Sequence, residues 1–458
     1  MTDPNSALSV IFTEFYYWVT VALMFLIHVG FCMYEVGASR NKNKMHTLMK
    51  NTMLIPLVTV TFYLFGWWIY FAFPNGIPGI TGDLPEAAAT YLPWSENMGT
   101  HMQDRITGVF WAAFLLFSWT AASIVSGSVI ERIRSGAFWI MAVLIGSVTW
   151  IIDAAWGWHP DGWMVTELGY HDAYASGVIH AIAGGAALGA LIVLGPRVGR
   201  FKPDGTARVI PPNNPWLVTV GIFLIYTGFW GFYVACNVPI IDSDFIGSTA
   251  EGGATFYTAT TIYLTPTTLS AITFNFLMSL SGGLMVGYLV SKGDAFWTYS
   301  LGLAGIITAS AGNDLYHPIE SMLVGGVGAW IAYKLHYWAE RKFKFDDAVG
   351  AVAVHGYAGF AGLVIAGFLL WGHPATAGYH GEATPITPWG NTIGAIIMFF
   401  VLGFLPMFIL AKILNAFGLL RVPRDVELAG LDFAANHTEA LDQAEIEEAT
   451  MAAVRAKN

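Results

Sequence analysis

The chain has 458 residues, 55% of them hydrophobic and only 11% charged, against about 25% charged in a typical soluble domain. That is too little charge to coat a water-exposed surface of this size, so lipid is the solvent the chain is written for. A net charge of −10 argues against nucleic acid as a partner. The two cysteines, Cys32 and Cys236, lie in apolar stretches and offer neither a disulfide framework nor metal-ligand spacing. Each reads as a small buried hydrophobe. No metal or other cofactor is expected, and nothing points to an enzyme.

Glycine and tryptophan fit the same reading, with 50 and 18 copies. Glycine lets membrane helices approach closely, and tryptophan sits well at headgroup level. The first residues, Met1 to Ser9, hold no Lys or Arg, so no cleavable signal peptide is expected.

A membrane helix needs roughly 20 mainly apolar residues. In chain order, helices are expected near 11–35, 51–73, 106–130, 137–154, 175–195, 216–236, 256–290, 296–312, 319–338, 349–371 and 391–417. The fold class is therefore an all-α integral membrane protein with eleven transmembrane helices. Residues 1–418 form the membrane domain and 419–458 a tail. The seventh helix is long enough to be tilted or to leave the bilayer.

Basic residues set the orientation. Arg40, Lys42, Lys44 and Lys50 follow helix 1, and Arg132 and Arg134 follow helix 3. Arg197, Arg200, Lys202 and Arg208 follow helix 5, and Lys292 follows helix 7. Lys334, Arg341, Lys342 and Lys344 surround the end of helix 9. Lys412, Arg421, Arg424, Arg455 and Lys457 belong to the last helix end and the tail, and only Arg105 falls on the other side. The N-terminus is expected outside and the C-terminus in the cytoplasm, in a plasma membrane (the inner membrane of a bacterium). The outer loops carry Asp83, Glu86, Glu96, Asp104, Asp161, Glu167, Asp242, Asp244, Glu251, Asp314 and Glu382. That charge would concentrate a cation, or it simply follows from the depletion of Lys and Arg in translocated loops.

Two segments repeat. Asp172 is followed after seven residues by His180, two more residues, then Ala183-Gly184. Asp347 stands in the same way to His355 and Ala358-Gly359. The topology starts the first on the outside and the second on the inside, the mark of an inverted repeat. Helices 1–5 and 6–10 are then the two halves, with helix 11 peripheral. Eight helical residues rise about 12 Å, which puts both imidazoles near the middle of a core roughly 30 Å thick. Imidazole at that depth pairs or lines a pore, and two can bond each other while offering groups to a small polar guest. Asp172 suits an N-cap and a cation site alike. Asp347, beside Asp346, reads mainly as a cap, and His28 as a packing residue with no evident partner.

At this point the chain resembles the Amt/Mep/Rh ammonium transporter superfamily, on its Amt branch. The resemblance is carried by Glu35-Val-Gly-Ala-Ser-Arg40-Asn-Lys42-Asn43 with Leu48-Met49-Lys50-Asn51. It continues through Phe117-Ser-Trp-Thr-Ala-Ala-Ser-Ile-Val-Ser126-Gly127-Ser-Val-Ile-Glu131-Arg132. Trp158-His159-Pro160-Asp161-Gly162 through Asp172 to His180, Gly195-Pro196-Arg197, and Asp346-Asp347 through Val354-His355-Gly356 complete it. The resemblance implies an ammonium transporter. His180 and His355 correspond to the twin pore histidines, Phe117 and Phe232 to the gate phenylalanines, Trp158 to the outer recruitment tryptophan, and Asp172 to the aspartate beneath it. A homotrimer with a pore in each subunit is also implied.

Three positions depart from the family pattern: Cys236 at the recruitment site, where serine is frequent, Tyr233, and Thr308-Ala-Ser-Ala. They bear on outer-site affinity and substrate preference. The tail, with Leu420-Arg421-Val422-Pro423, Glu427-Leu-Ala-Gly430-Leu431-Asp432, His437 and Glu439, resembles the family's C-terminal regulatory segment and implies packing on the cytoplasmic face and a PII-type partner. The alternatives are an ammonium sensor or an Rh-like ammonia channel of the same fold. A membrane haem enzyme, with the two histidines as axial ligands, is a third.

Overall fold

The computed structural model of the chain describes residues 4–99, 105–239, 259–376 and 384–434. Of the residues singled out above, Asp104, Asp242, Asp244, Glu251, Glu382, His437, Glu439, Arg455 and Lys457 lie outside the described residues.

Helices stand at all eleven expected places. Among the described residues, nine are long and apolar enough to cross a membrane: α1 Ile11–Ala38, α2 Asn41–Ala72, α3 Val109–Ser128, α4 Ser135–Gly157, α5 Ser176–Leu194, α6 Pro215–Ala235, α7 Leu269–Ser291, α10 Val352–Leu369 and α11 Pro388–Ala416. The other two are α8, Ala295–Ala309, which is short, and α9, Pro318–Phe343, which is long but carries several charges. Apolar side chains such as Trp18, Phe223, Phe274, Leu323 and Phe400 face outward, as lipid-facing surfaces require.

Two expected boundaries are corrected. The second helix begins ten residues before the expected 51, so Lys50 is not a loop charge; it lies fully buried in α2. The seventh begins at Leu269, not 256. Before it, Ala259–Thr261 pairs with Asn237–Pro239 and with Pro266–Thr267 in a small antiparallel sheet. Thr, Ile and Tyr dominate that stretch, and β-branched and aromatic residues favour strands.

The core is held by close approach of α1 to α6 and of α5 to α10. A Cβ on Gly221 would lie 2.5 Å from the Tyr34 nitrogen of α1, and one on Gly184 would lie 2.1 Å from the Gly356 Cα of α10. Only glycine permits backbones at that separation, the usual device of helix pairs in lipid.

Candidate functional site

His180 and His355 meet at the α5–α10 contact. Their Nδ1 atoms are 3.0 Å apart and their ring centroids 5.1 Å. One ring must donate and the other accept, so the pair consists of opposite tautomers. The His180 Nε2 is buried with no partner among the described residues. Each histidine sits in a π-helical turn, Ser176–Ala181 and Val352–Tyr357, a local widening often found at functional positions.

The depth estimate needs correction. Helical residues begin only at Ser176, after a turn and a left-handed Ala175, φ 75°. Four helical steps separate Ser176 from His180, a rise of about 6 Å. The space between Asp172 and the helix is used by the aspartate itself. Its Oδ1 accepts the Ser176 N–H at 2.7 Å, and Oδ2 accepts Gly177 at 2.7 Å, Val178 at 2.9 Å and the Tyr170 hydroxyl at 3.1 Å. Burial pushes this carboxyl up, while the backbone N–H groups pull it down.

A column of rings leads from Asp172 to the histidines. The Trp158 indole donates to the Asp172 carbonyl at 2.7 Å. Trp158 lies 5.1 Å from Phe117, Phe117 lies 4.8 Å from Phe232, and Phe232 lies 5.7 Å from His180. Trp158, Phe117, Phe232 and His180 are fully buried. Phe31 of α1 approaches His355 at 6.2 Å on the far side. Cys236 sits one turn beyond Phe232, its thiol directed at the Phe232 carbonyl at 3.4 Å.

Several residues at the site were not legible in advance. Tyr263, in the stretch expected to be helical, accepts the Asp172 N–H at 3.0 Å and donates to the Gly157 carbonyl at 2.6 Å. It thereby braces Trp158 and Asp172 together. Tyr233 stacks on Tyr174 at 4.4 Å, and its hydroxyl meets Ser310 at 2.7 Å and the Asn313 amide at 2.9 Å. Two of the three departures, Tyr233 and the segment holding Ser310, are thus one hydrogen-bonded unit. Asp314 is not a solvated loop charge: its side chain is 1% exposed and its Oδ2 lies 3.0 Å from the His171 Nε2. His28 has partners after all, Ser123 at 3.1 Å and the Asn51 carbonyl at 3.3 Å.

The face carrying the basic residues is tied down by a buried ionic cluster. Arg197 binds Asp346 at 2.8 Å and Glu131 at 2.9 Å, and Arg40 also binds Glu131 at 2.9 Å. Burial raises the Glu131 carboxyl, but Arg197 and Arg40 overcome this and hold it at about 2. The tail packs here. Arg421 binds Glu427 at 2.7 Å, Glu427 accepts the Val198 N–H at 2.6 Å, Lys42 donates to the Leu428 carbonyl, and Asp432 accepts the His46 N–H at 2.8 Å. Asp347 accepts the Val352 N–H at 2.9 Å, as a cap should, and leaves its Oδ1 without a partner among the described residues.

Known proteins resemble this chain along most of its length. The model of the Ammonium Transporter Family matches residues 15–441. The chain is 29% identical to the ammonium transporter Amt2 of Archaeoglobus fulgidus, over 90% of this chain and 84% of that one. It is 28% identical to Amt1 of Methanocaldococcus jannaschii, over 94% and 97%. Among solved structures, a sensor Amt protein superposes with a TM-score of 0.76 at 22% identity, covering 94% of this chain and all of that one. Saccharomyces cerevisiae Mep2 gives 0.68 at 16%, covering 90% and 88%. The chain is a multi-pass membrane protein that belongs to the ammonium transporter family.

Proposed function

We propose that this chain takes up ammonium by drawing the cation to the outer end of the ring column, removing its proton there, and passing ammonia between Phe117 and Phe232 and along His180 and His355. The observation that carries the reading is the continuous buried path Trp158–Phe117–Phe232–His180–His355. A cation shedding its water against aromatic faces gains on the order of 2 kcal/mol per ring. An intact cation in so apolar a path costs far more than that returns. Releasing the proton removes the cost, and a neutral imidazole pair can then donate to and accept from ammonia. Potassium has no proton to release, so the same path rejects it. The released proton crosses by a linked route and rejoins ammonia on the basic-face side, so one proton and one charge move with each ammonia.

In this reading Asp172 acts through structure and field, because its carboxylate is occupied by backbone N–H groups. Trp158 and Cys236 set outer-site affinity. The basic face is cytoplasmic, the eleven helices all cross the plasma membrane, and helices 1–5 and 6–10 form the inverted repeat. The working assembly is a homotrimer, and the tail, already seated against residues 42–46 and 198, is where a PII-type regulator would act. The test is current recording on proteoliposomes given an ammonium pulse. The expected result is an inward current that saturates with ammonium and is absent with potassium; no current and no ammonium uptake would overturn the reading.

A further inference from the structure

Glu35 of α1 is a fully buried carboxylate inside a membrane span. Its Oε2 accepts the Ser126 hydroxyl at 2.6 Å and the Asn51 amide at 2.9 Å, and lies 3.6 Å from the Lys50 ammonium. Lys50 donates in turn to the Ser126 carbonyl at 3.0 Å. The other oxygen, Oε1, has no partner among the described residues.

A narrow cavity with about 20 Å³ of space for the centre of a water-sized guest lies on the basic-face side of the histidine pair. His355 and Phe31 line it, and so do Tyr34, Glu35, Gly127 and Val349. A Cβ on Gly127 would lie 2.6 Å from the Val349 Cγ2 and 3.7 Å from Oε1, so Gly127 makes room for Val349 in the cavity wall beside that oxygen.

Burying an ionised carboxylate costs several kcal/mol, even in a pair, unless its remaining lone pairs find donors. Lys50, Ser126 and Asn51 answer one oxygen only. Ionisable groups at membrane depth line pathways when they are not paired out, and half of this one is free. The guest of the cavity must bring N–H or O–H donors, fit a space of one or two small molecules, and tolerate a carboxylate already neutralised on its far side by Lys50. An ammonium ion meets all three conditions: it donates along four directions, and a carboxylate bridging two cations, one per oxygen, is balanced when the second is monovalent.

We infer that Glu35 Oε1 forms an ammonium-binding station between the histidine pair and the basic face: ammonia that has passed the histidines takes back the proton delivered by the linked route, and the resulting ammonium makes its last stop there before release. This rests on the transport reading above. Lys50, Ser126 and Asn51 are its positioning residues, which fix the carboxylate so that Oε1 faces the cavity.

The test uses oriented proteoliposomes of the full chain, with ammonium chloride applied to either face in turn. Glu35→Gln keeps shape and removes charge; Glu35→Gln/Lys50→Met also removes the stranded cation, so the second variant carries the test if the first does not fold. Losing one charge-assisted hydrogen bond should raise half-saturation at the basic face about tenfold or more in both variants, and leave the acidic face within about twofold. If the paired variant has wild-type half-saturation at the basic face, Glu35 and Lys50 serve packing alone and the inference is overturned. Equal shifts at both faces would also overturn it, since a station on one side has no reason to act on the other. A wild type that passes no ammonium current removes the transport reading itself, an outcome distinct from the other two.

Discussion

Asp172 and Asp347 precede their histidines by the same distance, and the molecule uses them differently. Asp172 has both oxygens engaged, by three backbone N–H groups and a tyrosine. Asp347 holds one short bond to Val352, a longer one of 3.4 Å to Ala353, and an oxygen with no partner among the described residues. Burial pushes the Asp347 carboxyl up to about 7, against the pull of the Ala353 and Val352 N–H groups. The acidic-face half of the path is therefore a sealed column of rings on a satisfied anchor. The basic-face half has open space and carboxylate oxygens left over. Equal sequence spacing does not produce equal sites, because each end is completed by residues the repeat does not share: Tyr170, Tyr263 and Trp158 on one side, and on the other the Arg197 cluster and His336, whose Nδ1 lies 3.8 Å from the Asp347 Oδ2.

The largest test of that contrast is removal of the anchor. Asp172→Ala strands three buried N–H donors, at roughly 1–3 kcal/mol each. It should abolish ammonium current and lower the thermal midpoint of the detergent-solubilised protein more than any other single change at the site. A variant as stable as wild type would mean that Asp172 does not organise the start of α5.

Glu131→Gln should follow. Breaking one partner out of a buried ionic cluster costs about 3–5 kcal/mol. Because the folded carboxyl sits at about 2, below its ordinary 4.5, its stabilisation is fully present above the ordinary value and is lost as pH falls toward 2. Thermal unfolding against pH should show an acid limb that flattens in the variant; an unchanged limb would place the acid sensitivity elsewhere.

Asp347 carries the opposite sign. A carboxyl raised to about 7 from 3.8 lets stability fall as pH rises between those values. Asp347→Asn should remove that slope and cost about 1 kcal/mol or less otherwise, since it keeps one acceptor. A loss as large as that of Asp172→Ala would erase the difference between the two ends.

The smallest effect concerns Tyr233 and Ser310. Tyr233→Phe and Ser310→Ala each remove one side of the same hydrogen bond, so the double variant should cost less than the sum of the singles, by about 0.5–1.5 kcal/mol in a double-mutant cycle. Strict additivity would show that the two departures from the family pattern are independent.

Much of this molecule was legible in its residues. Apolar runs located the helices, and the Asp172–His180 and Asp347–His355 spacings located the imidazoles that meet at 3.0 Å. The resemblance picked out Trp158, Phe117 and Phe232, which stand in one column. What stayed hidden depended on contact between distant segments. His171 and Asp314 are 143 residues apart, Glu35 and Ser126 are 91 apart, and Tyr263 and Asp172 are also 91 apart. Periodicity cannot see such pairs; it counted Lys50 with the loop charges and Asp314 with the outer ones. The late start of α7 had a local cause: Ile262, Tyr263 and Leu264 are apolar enough to extend a helix, but the β-branched Thr260 and Thr261 before them pair as a strand.

The central claim is that the paired imidazoles let ammonia through and keep intact cations out. The direct measurement is the ratio of ammonium to potassium current in proteoliposomes of wild type and of the His180→Ala/His355→Ala variant. With both imidazoles gone, the stretch next to Phe232 and Phe31 loses the ring nitrogens that accept from and donate to ammonia, so ammonium current should drop or potassium current should appear, and either single variant should fall between. A double variant that keeps wild-type ammonium current and still rejects potassium would contradict the claim and leave the histidines as a packing contact between α5 and α10.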